Sequence, residues 1–292
     1  MVRARSDDMR QRVAIEAVSP EIDCGRFPVK RIQGDKVVVE ADLFADGHDR
    51  LAAALFWRRE EDPAFQEAPM FLVAGDRFRG QFIVSSVGLY RFTVMGWIDA
   101  FRTWRQDLQK RLAAGQDVSV DLLIGAGLVS EAALIADAHD EPLLRRWADA
   151  LEGALDLTAR VGVAFDDGLA AAMDRSASRH FPVTYEWEVT VSVERERARY
   201  GAWYEMFPRS ASDEPGRHGT FADVERRLPY VAGLGFDVLY LPPIHPIGRT
   251  FRKGPNGVLP AEDGPGSPWA IGSPEGGHTE IHPELGTLED FD

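Results

Sequence analysis

Residues 234–243 have the sequence Leu-Gly-Phe-Asp-Val-Leu-Tyr-Leu-Pro-Pro. Positions 236–241 are mostly apolar, which predicts a short buried strand, and the two prolines end it. Another apolar run at 202–207, closed by Pro208, predicts a second strand of the same kind. A helix is predicted between the two, and a strand–helix–strand order with a buried second strand is typical of a parallel sheet.

The helix between these strands is predicted to begin after Thr220, whose hydroxyl can cap the first turn. Gly233 and Gly235 are predicted to end it rather than to cradle a phosphate. Pro229 has no backbone N–H, so we expect it to kink or split the helix. The apolar face of the helix is formed by residues at helical spacing: Phe221, Val224, Leu228 and Val231.

A long loop is predicted after the second strand. From Pro243 to Thr287 the sequence holds nine glycines and eight prolines, a composition that excludes a long regular element. Loops of this length in α/β domains are usually functional or disordered. Residues 287–292 then predict a capped helix that has barely begun. Because two strands cannot close a parallel sheet, we expect the chain to be the front part of a longer protein.

The N-terminal part has a different pattern. Residues 13–97 contain short β-branched and alternating runs separated by turns, which predict an antiparallel β-sandwich. Residues 98–178 predict a helical insertion, and strand character returns at 183–193 as a single strand. Three apolar stripes at helical spacing predict three helices of a small bundle: Phe101, Trp104, Leu108 and Leu112; Leu144, Trp147, Leu151 and Leu155; Val161, Phe165, Leu169 and Met173. We predict two domains: a β-sandwich at 1–195 with this insertion, and an incomplete parallel α/β domain at 196–292.

Composition limits the function further. Hydrophobic residues make up 45% of the chain, which is enough for a buried core. The formal net charge of −14 repels nucleic-acid phosphates, so we expect no nucleic-acid partner. No apolar run approaches the roughly 20 residues that span a bilayer, nor does the start contain the apolar core of a signal peptide. The single cysteine, Cys24, fits a reducing cytoplasm.

Several motifs resemble one enzyme family. The run at 234–243 is similar to the second barrel strand of the α-amylase superfamily, whose catalytic domain is a (β/α)₈ barrel. This resemblance implies that residues 196–292 form the first two β/α units of such a barrel, which is incomplete here. More specific runs resemble the α-1,4-glucan:maltose-1-phosphate maltosyltransferase family, in which a β-sandwich with a helical insertion precedes the barrel. These runs are Tyr-Gly-Ala-Trp-Tyr-Glu-Met-Phe-Pro-Arg-Ser (200–210), Pro-Pro-Ile-His-Pro-Ile-Gly (242–248), Arg-Lys-Gly (252–254), Pro-Trp-Ala-Ile-Gly (268–272), Glu-Gly-Gly-His (275–278) and His-Pro-Glu-Leu-Gly-Thr (282–287).

The resemblance implies a retaining transfer of maltosyl from α-maltose 1-phosphate to the non-reducing end of an α-1,4-glucan, with release of phosphate. It implies no cofactor, no metal, and a homodimer formed through the N-terminal domain. The family's nucleophile and acid follow later barrel strands, beyond Asp292, so we expect this chain alone to be inactive. By the same resemblance, Lys253 contacts the donor sugar. Asn256 is a weaker substrate-binding candidate, because Pro255-Asn256-Gly257 keeps one of the family's two asparagines.

Other residues have simpler interpretations. His245, His278 and His282 could be metal ligands only if they converged, and bracing of the loop is favoured. Glu205 and Asp237 are rejected as a catalytic pair, because barrel catalytic groups lie at the carboxyl ends of strands. The glycines of 264–266 and 276–277 are interpreted as turn residues.

Two alternatives stay open. One is another α-amylase superfamily enzyme, such as a trehalose synthase or a glucan-branching enzyme. The other is a stand-alone glycan-binding or dimerisation module, in which Trp57 and Trp97 would be exposed to sugars rather than buried in the sandwich core.

Overall fold

The computed structural model describes residues 12–154, 156–176, 178–261 and 264–292. The chain divides into two compact units, Met1–Arg195 and Glu196–Asp292. Leu155, which was predicted to extend the second helical stripe, lies outside the described residues, as does the N-terminal run 1–11. No helix in the described ranges combines the length and the apolar composition needed to cross a bilayer.

A mixed β-sheet forms the framework of the first unit. Its described strands are β1 (Val13–Ser19), β2 (Val29–Ile32), β3 (Lys36–Ala45), β4 (Leu51–Arg59), β5 (Gln66–Ala74), β6 (Arg77–Ile83), β7 (Gly88–Ile98), β8 (His180–Thr184) and β9 (Val189–Glu194). Their order is β1-β3-β6-β5-β4-β7-β9-β2, and β8 also pairs with β7. The pair β2–β9 is parallel, so the prediction of an antiparallel sheet throughout is wrong there.

The sheet folds over on itself about β5, which pairs with both β6 and β4. The Trp57 ring of β4 stacks on Phe82 of β6 at 5.4 Å between ring centroids. A Cβ atom on Gly96 of β7 would lie 2.4 Å from a methyl carbon of Leu43 on β3, so the two halves pack in direct contact. One apolar core, which includes the fully buried Phe92, fills the space between them.

The single strand predicted at 183–193 is two strands, β8 and β9, along one edge of β7. Phe92 pairs with Val189 and Met95 pairs with Thr184, so the partner segment is longer than the stretch of β7 that it faces. The extra residues bulge out, and the Tyr185 amide keeps the segment attached by donating to Val94 O at 2.8 Å. The break is a bulge in one ladder.

The insertion is a bundle whose helices are α1 (Ala100–Ala113), α2 (Ser119–Ala133), α3 (Glu141–Asp149), α4 (Leu157–Ala164) and α5 (Asp167–Ser176), with a π-helical segment at Ala150–Ala154. The described residues of the predicted stripes lie in its apolar core. The third predicted helix is wrong as one element, because the chain breaks at Asp166. Its carboxylate accepts from the Leu169 amide at 2.9 Å and starts a new helix.

The packing of α1 against α2 depends on one glycine. Trp104 of α1 lies across α2, and its indole N–H donates to Asp121 O at 2.7 Å. A Cβ atom on Gly125 would lie 2.0 Å from the Trp104 ring. The buried indole is rigid, so an added methyl group must push the two helices apart.

We therefore expect Gly125→Ala to lower the free energy of unfolding of the first unit by about 1–3 kcal/mol. Gly162→Ala is the matched control, because Gly162 is an exposed helical glycine with nothing within 4 Å of its added Cβ. It should raise stability by about 0.5–1 kcal/mol through helix propensity. Urea denaturation followed by circular dichroism measures both. Equal effects of the two substitutions would refute the packing described here.

The second unit contains strands β10 (Trp203–Glu205) and β11 (Val238–Tyr240) and helices α6 (Phe221–Gly233) and α7 (Leu288–Phe291). The two strands pair in parallel, as the sequence predicted. Capping boxes at Thr220/Asp223 and Thr287/Asp290 begin the two helices. The long loop contains only two short 3₁₀ turns among its described residues, Pro255–Gly257 and Gly277–Thr279.

Helix α6 runs through Pro229 without splitting, which excludes one of the two effects predicted for this proline. Two burial predictions for the second unit are wrong. Strand β11 is half-buried to exposed, and Leu228, assigned to the buried face of α6, is 45% exposed. The described elements of this unit do not cover these residues.

Candidate functional site

The loop that follows β11 begins at the carboxyl end of a parallel strand pair. Several of its backbone groups hold it in place. His282 donates its amide to Ile244 O at 2.8 Å, and Gly248 donates its amide to Ala270 O at 2.7 Å. A Cβ atom on Gly248 would lie 1.7 Å from Ile271 O, so only glycine fits here. The loop therefore has a defined conformation and presents an ordered surface.

Lys253 lies on this surface with its backbone carbonyl held and its side chain exposed. Its carbonyl accepts from the Ser267 amide at 2.8 Å. The side chain is exposed, and no hydrogen bond or ion pair holds its ammonium among the described residues. The preceding Arg252 packs its side chain against the backbone at Gly266, where an added Cβ would lie 2.5 Å from Arg252 Cγ. The ammonium therefore has three donors to offer a ligand.

Asn256 lies three residues further on, in a tight turn. Its backbone is left-handed, with φ of 54°, and so is that of Gly257, with φ of 77°. The Gly254 amide donates to Val258 O at 2.7 Å across this turn. Asparagine and glycine are the residues that such a turn favours. The backbone geometry alone accounts for Asn256, although its exposed amide is also able to meet a ligand.

Two further residues hold the loop, and no pattern in the sequence indicated them apart from the family motifs. Arg209 donates from Nη1 to Gly266 O at 2.5 Å. Phe207 packs edge-to-face on Trp269 at 5.6 Å between ring centroids. They connect the segment after β10 to the middle of the loop.

The histidines form two pairs. His245 lies against His278, at 4.7 Å between ring centroids, and His282 stacks on His218 at 5.6 Å. His218 was not among the predicted site residues, since it lies far away in sequence. One ligand atom each from His218, His282 and Glu284 lie within 4.8 Å of one another, which is a spacing that a metal ion could use.

The hydrogen bonds of this cluster do not suit a cation. His218 Nδ1 lies 2.8 Å from Gly219 O and is the donor, which leaves Nε2 free to bind. His282 Nδ1 accepts from the Glu284 amide at 3.2 Å, so the proton of the neutral ring is on Nε2. A cation bound to Nε2 of His282 would leave the ring proton on Nδ1. This Nδ1–H would then point at the amide N–H of Glu284, so that two donors would face each other. Two compatible ligands are fewer than a tetrahedral zinc site uses.

Burial lowers the pKa of His282 below its ordinary value of 6.5, and the nearby His218 lowers it further as the second largest cause. The unfolded chain therefore binds this proton more readily than the folded chain. The contribution of His282 to stability is present above pH 6.5 and is lost as the pH falls below that value.

We expect the urea concentration at the unfolding midpoint of the second unit to decrease when the pH is lowered from 7.5 to 5.5. The decrease should be smaller in the His282→Gln variant. His48→Gln, a change at an exposed histidine of the first unit, should keep the full dependence. An unchanged pH dependence in His282→Gln would contradict this assignment.

Glu205 and Asp237 do not form a pair. Glu205 faces Tyr240 in the register of β10 and β11, while Asp237 precedes the opposite end of β11. At roughly 3.3 Å per residue, they are separated by about 10 Å along the strands. Asp237 instead accepts from the Ala202 amide at 3.1 Å.

The sandwich tryptophans are covered. Trp57 packs against the apolar core and stacks on Phe82. Trp97 is half-buried beneath the Arg179 guanidinium, which lies 4.6 Å from the ring centroid. The predicted turn glycines Gly266, Gly276 and Gly277 have left-handed backbones, as turns require.

Comparison with known proteins assigns the chain to a family. A family profile described as "Alpha-1,4-glucan:maltose-1-phosphate maltosyltransferase, domain N/S" matches residues 11–195. The chain belongs to this maltosyltransferase family. A maltosyltransferase of this name from Chlorobaculum tepidum is 50% identical over 290 residues, which cover 99% of the chain and 43% of the relative.

Two further maltosyltransferases of this name are similar over nearly the whole chain. The one from Methylacidiphilum infernorum is 42% identical, over 97% of the chain and 42% of the relative. The one from Myxococcus xanthus is 45% identical, over 96% of the chain and 43% of the relative. The chain thus spans less than half the length of these curated relatives. Their similarity includes both units and the Lys253 loop.

Proposed function

We propose that the protein acts in the transfer of maltosyl from α-maltose 1-phosphate to the non-reducing end of α-1,4-glucans, with retention of configuration and release of phosphate. The observation that carries this proposal is the 50% identity to a maltosyltransferase across 290 residues. The aligned residues cover 99% of the chain, so the alignment includes the motif-rich loop as well as the sandwich. We place the enzyme in the cytoplasm, where the exposed thiol of Cys24 would stay reduced.

We propose that the second unit is the beginning of a (β/α)₈ barrel. The parallel pair β10–β11, with α6 between its strands, is the repeating unit of such a barrel. Active sites of these barrels lie at the carboxyl ends of the strands. The loop after β11 starts at that end, which supports a substrate-binding role for it.

Lys253 is the residue proposed to contact the donor sugar. Its carbonyl is fixed by Ser267, so the residue is positioned, and its ammonium has no partner among the residues that the structure describes. A charged donor makes stronger hydrogen bonds to sugar hydroxyls than a neutral donor does. Asn256, at the tip of the next turn, is the second proposed contact.

The chemistry requires a carboxylate nucleophile and a carboxylic acid about 5 Å apart. Glu205 and Asp237 are too far apart along their strands for this role. We propose that the two carboxylates follow later barrel strands of the longer enzyme, beyond Asp292, and that this chain alone does not turn over the donor. No cofactor is needed for this mechanism.

We also propose that the first unit forms a homodimer through helix α2. This helix buries one apolar face in the bundle, yet its opposite face is apolar too. Exposed side chains on that face, each 50–74% accessible, include Val120, Leu123 and Leu134. A helix that is apolar on all sides is normally covered on all sides. A second copy of the chain would cover the stripe isologously.

The transfer is tested in a chimera in which this chain replaces the matched region of the Chlorobaculum tepidum maltosyltransferase. With α-maltose 1-phosphate and maltoheptaose, the chimera should release phosphate and lengthen the acceptor by two glucosyl units per turnover. The isolated chain should do neither. A folded chimera that releases no phosphate would refute the proposal.

The same assay separates the alternatives. A trehalose synthase would isomerise maltose without phosphate, and a branching enzyme would introduce branches without releasing phosphate. A stand-alone glycan-binding module would bind glucan but would not restore transfer in the chimera.

A further inference from the structure

A cleft of about 400 Å³ lies in the first unit, where the bundle meets the sheet. Its volume is within the range of small-molecule sites, about 300–1,000 Å³. The apolar part of its lining comes from the end of β7 and from helices α1 and α2: Ile98, Ala100, Trp104, Ile124 and Leu128. The cleft is lined by residues of the first unit, whereas Lys253 belongs to the second.

Fixed charged groups surround this apolar lining. Arg12 donates to Asp49 at 2.7 Å and to Asp46 at 3.1 Å. Arg111 donates to Asp121, whose side chain is 9% exposed, at 2.6 Å. In each of these ion pairs, only some of the polar side-chain atoms form a hydrogen bond. Nη1 of Arg12, Nη2 of Arg111 and one oxygen each of Asp49 and Asp121 have no protein partner among the described residues.

An aromatic ring completes the lining. Phe181 is 46% exposed, and its ring lies 5.7 Å from the Arg12 guanidinium carbon. Its backbone has φ of 50°, which a bulky side chain rarely adopts. Such conformations are concentrated at functional sites.

The chemistry of the cleft favours an uncharged polyhydroxy ligand. Free donors and free acceptors lie side by side, and a sugar hydroxyl both donates and accepts. The lining residues include two guanidiniums, from Arg12 and Arg111, and three carboxylates, from Asp49, Asp107 and Asp121, so the cleft has no excess positive charge for a phosphate. The exposed ring and the apolar lining suit the C–H face of a sugar.

We propose that this cleft is a carbohydrate-binding site, separate from the donor site, that takes a short α-1,4-glucan segment. The choice of an α-glucan among carbohydrates rests on the proposed function. The site would hold the polymer near the enzyme while its chain end reacts elsewhere.

The test is a titration of the intact chain with maltotriose, followed by calorimetry and by amide NMR shifts, with cellotriose as the stereochemical control. Maltotriose should bind with amide shifts at the cleft, and cellotriose should bind at least 10-fold more weakly. Asp49→Asn should weaken maltotriose binding at least 10-fold. Asp46→Asn is the matched control, since Asp46 binds the same arginine but does not line the cleft. It should change binding less than twofold.

Phe181→Ala provides a second variant at an exposed position, and it should also weaken binding at least 10-fold. Lys253→Ala should leave the maltotriose-induced amide shifts at the cleft unchanged, because Lys253 does not line it. Absence of maltotriose binding, equal binding of cellotriose, or equal effects of Asp49→Asn and Asp46→Asn would overturn the proposal. An active chimera with an empty cleft would refute this inference alone, whereas cleft binding with an inactive chimera would refute the proposed transfer alone.

Discussion

Lys253→Ala should lower kcat/KM for α-maltose 1-phosphate about 10- to 100-fold in the chimera. A hydrogen bond to a charged group contributes about 1.5–3 kcal/mol, and each 1.4 kcal/mol is a factor of ten in rate. The structural basis of this expectation is an exposed side chain on a fixed backbone, whose ammonium is unpaired within the described part of the loop. Steady-state phosphate release measures it.

Lys36→Ala is the control for Lys253→Ala. Lys36 is an exposed lysine on β3 in the first unit. Its replacement removes the same charge at a position that is distant from the loop in sequence. Its kcat/KM should stay within twofold of the parent chimera. If Lys253→Ala also stays within twofold while the protein remains folded, Lys253 has no contact with the donor.

Leu123→Glu should convert the chain from dimer to monomer at micromolar concentration. Leu123 is 50% exposed in the apolar stripe of α2. A glutamate there would place a carboxylate from each copy in an interface without a partner, and an unpaired buried charge is strongly unfavourable. Sedimentation velocity measures the change directly.

Leu72→Glu is the matched control for the dimer. Leu72 on β5 is also a leucine, 51% exposed, so the same substitution adds the same charge to an equally accessible apolar site. This variant should remain a dimer. A monomeric parent chain, or loss of the dimer in both variants, would contradict the proposed interface.

The sequence predicted elements whose signals are local. Thr220 and Thr287 begin capped helices, and in each case an aspartate three residues later closes the capping box. Phe101, Trp104 and Leu108 face one side of α1 because their spacing fixes this. Helix α2 was missed, since it is apolar on two opposite faces and shows little helical periodicity.

Elements that depend on distant contacts were not predictable in the same way. The break between β8 and β9 comes from a mismatch in length with β7. The stacking of His282 on His218 joins residues that are far apart in sequence, and its effect on the pKa of His282 follows from that contact. The Asn256-Gly257 pair favours the observed turn by itself, whereas the family resemblance assigned the Asn256 side chain to substrate binding.

The most direct test of the account is a crystal structure of the chimera with α-maltose 1-phosphate, in which a catalytic carboxylate has been replaced to prevent turnover. We predict that Lys253 Nζ lies about 3 Å from a hydroxyl of the donor sugar. The donor should lie at the carboxyl ends of β10 and β11. A donor bound with Lys253 exposed to solvent and the loop after β11 not in contact with the sugar would contradict the account.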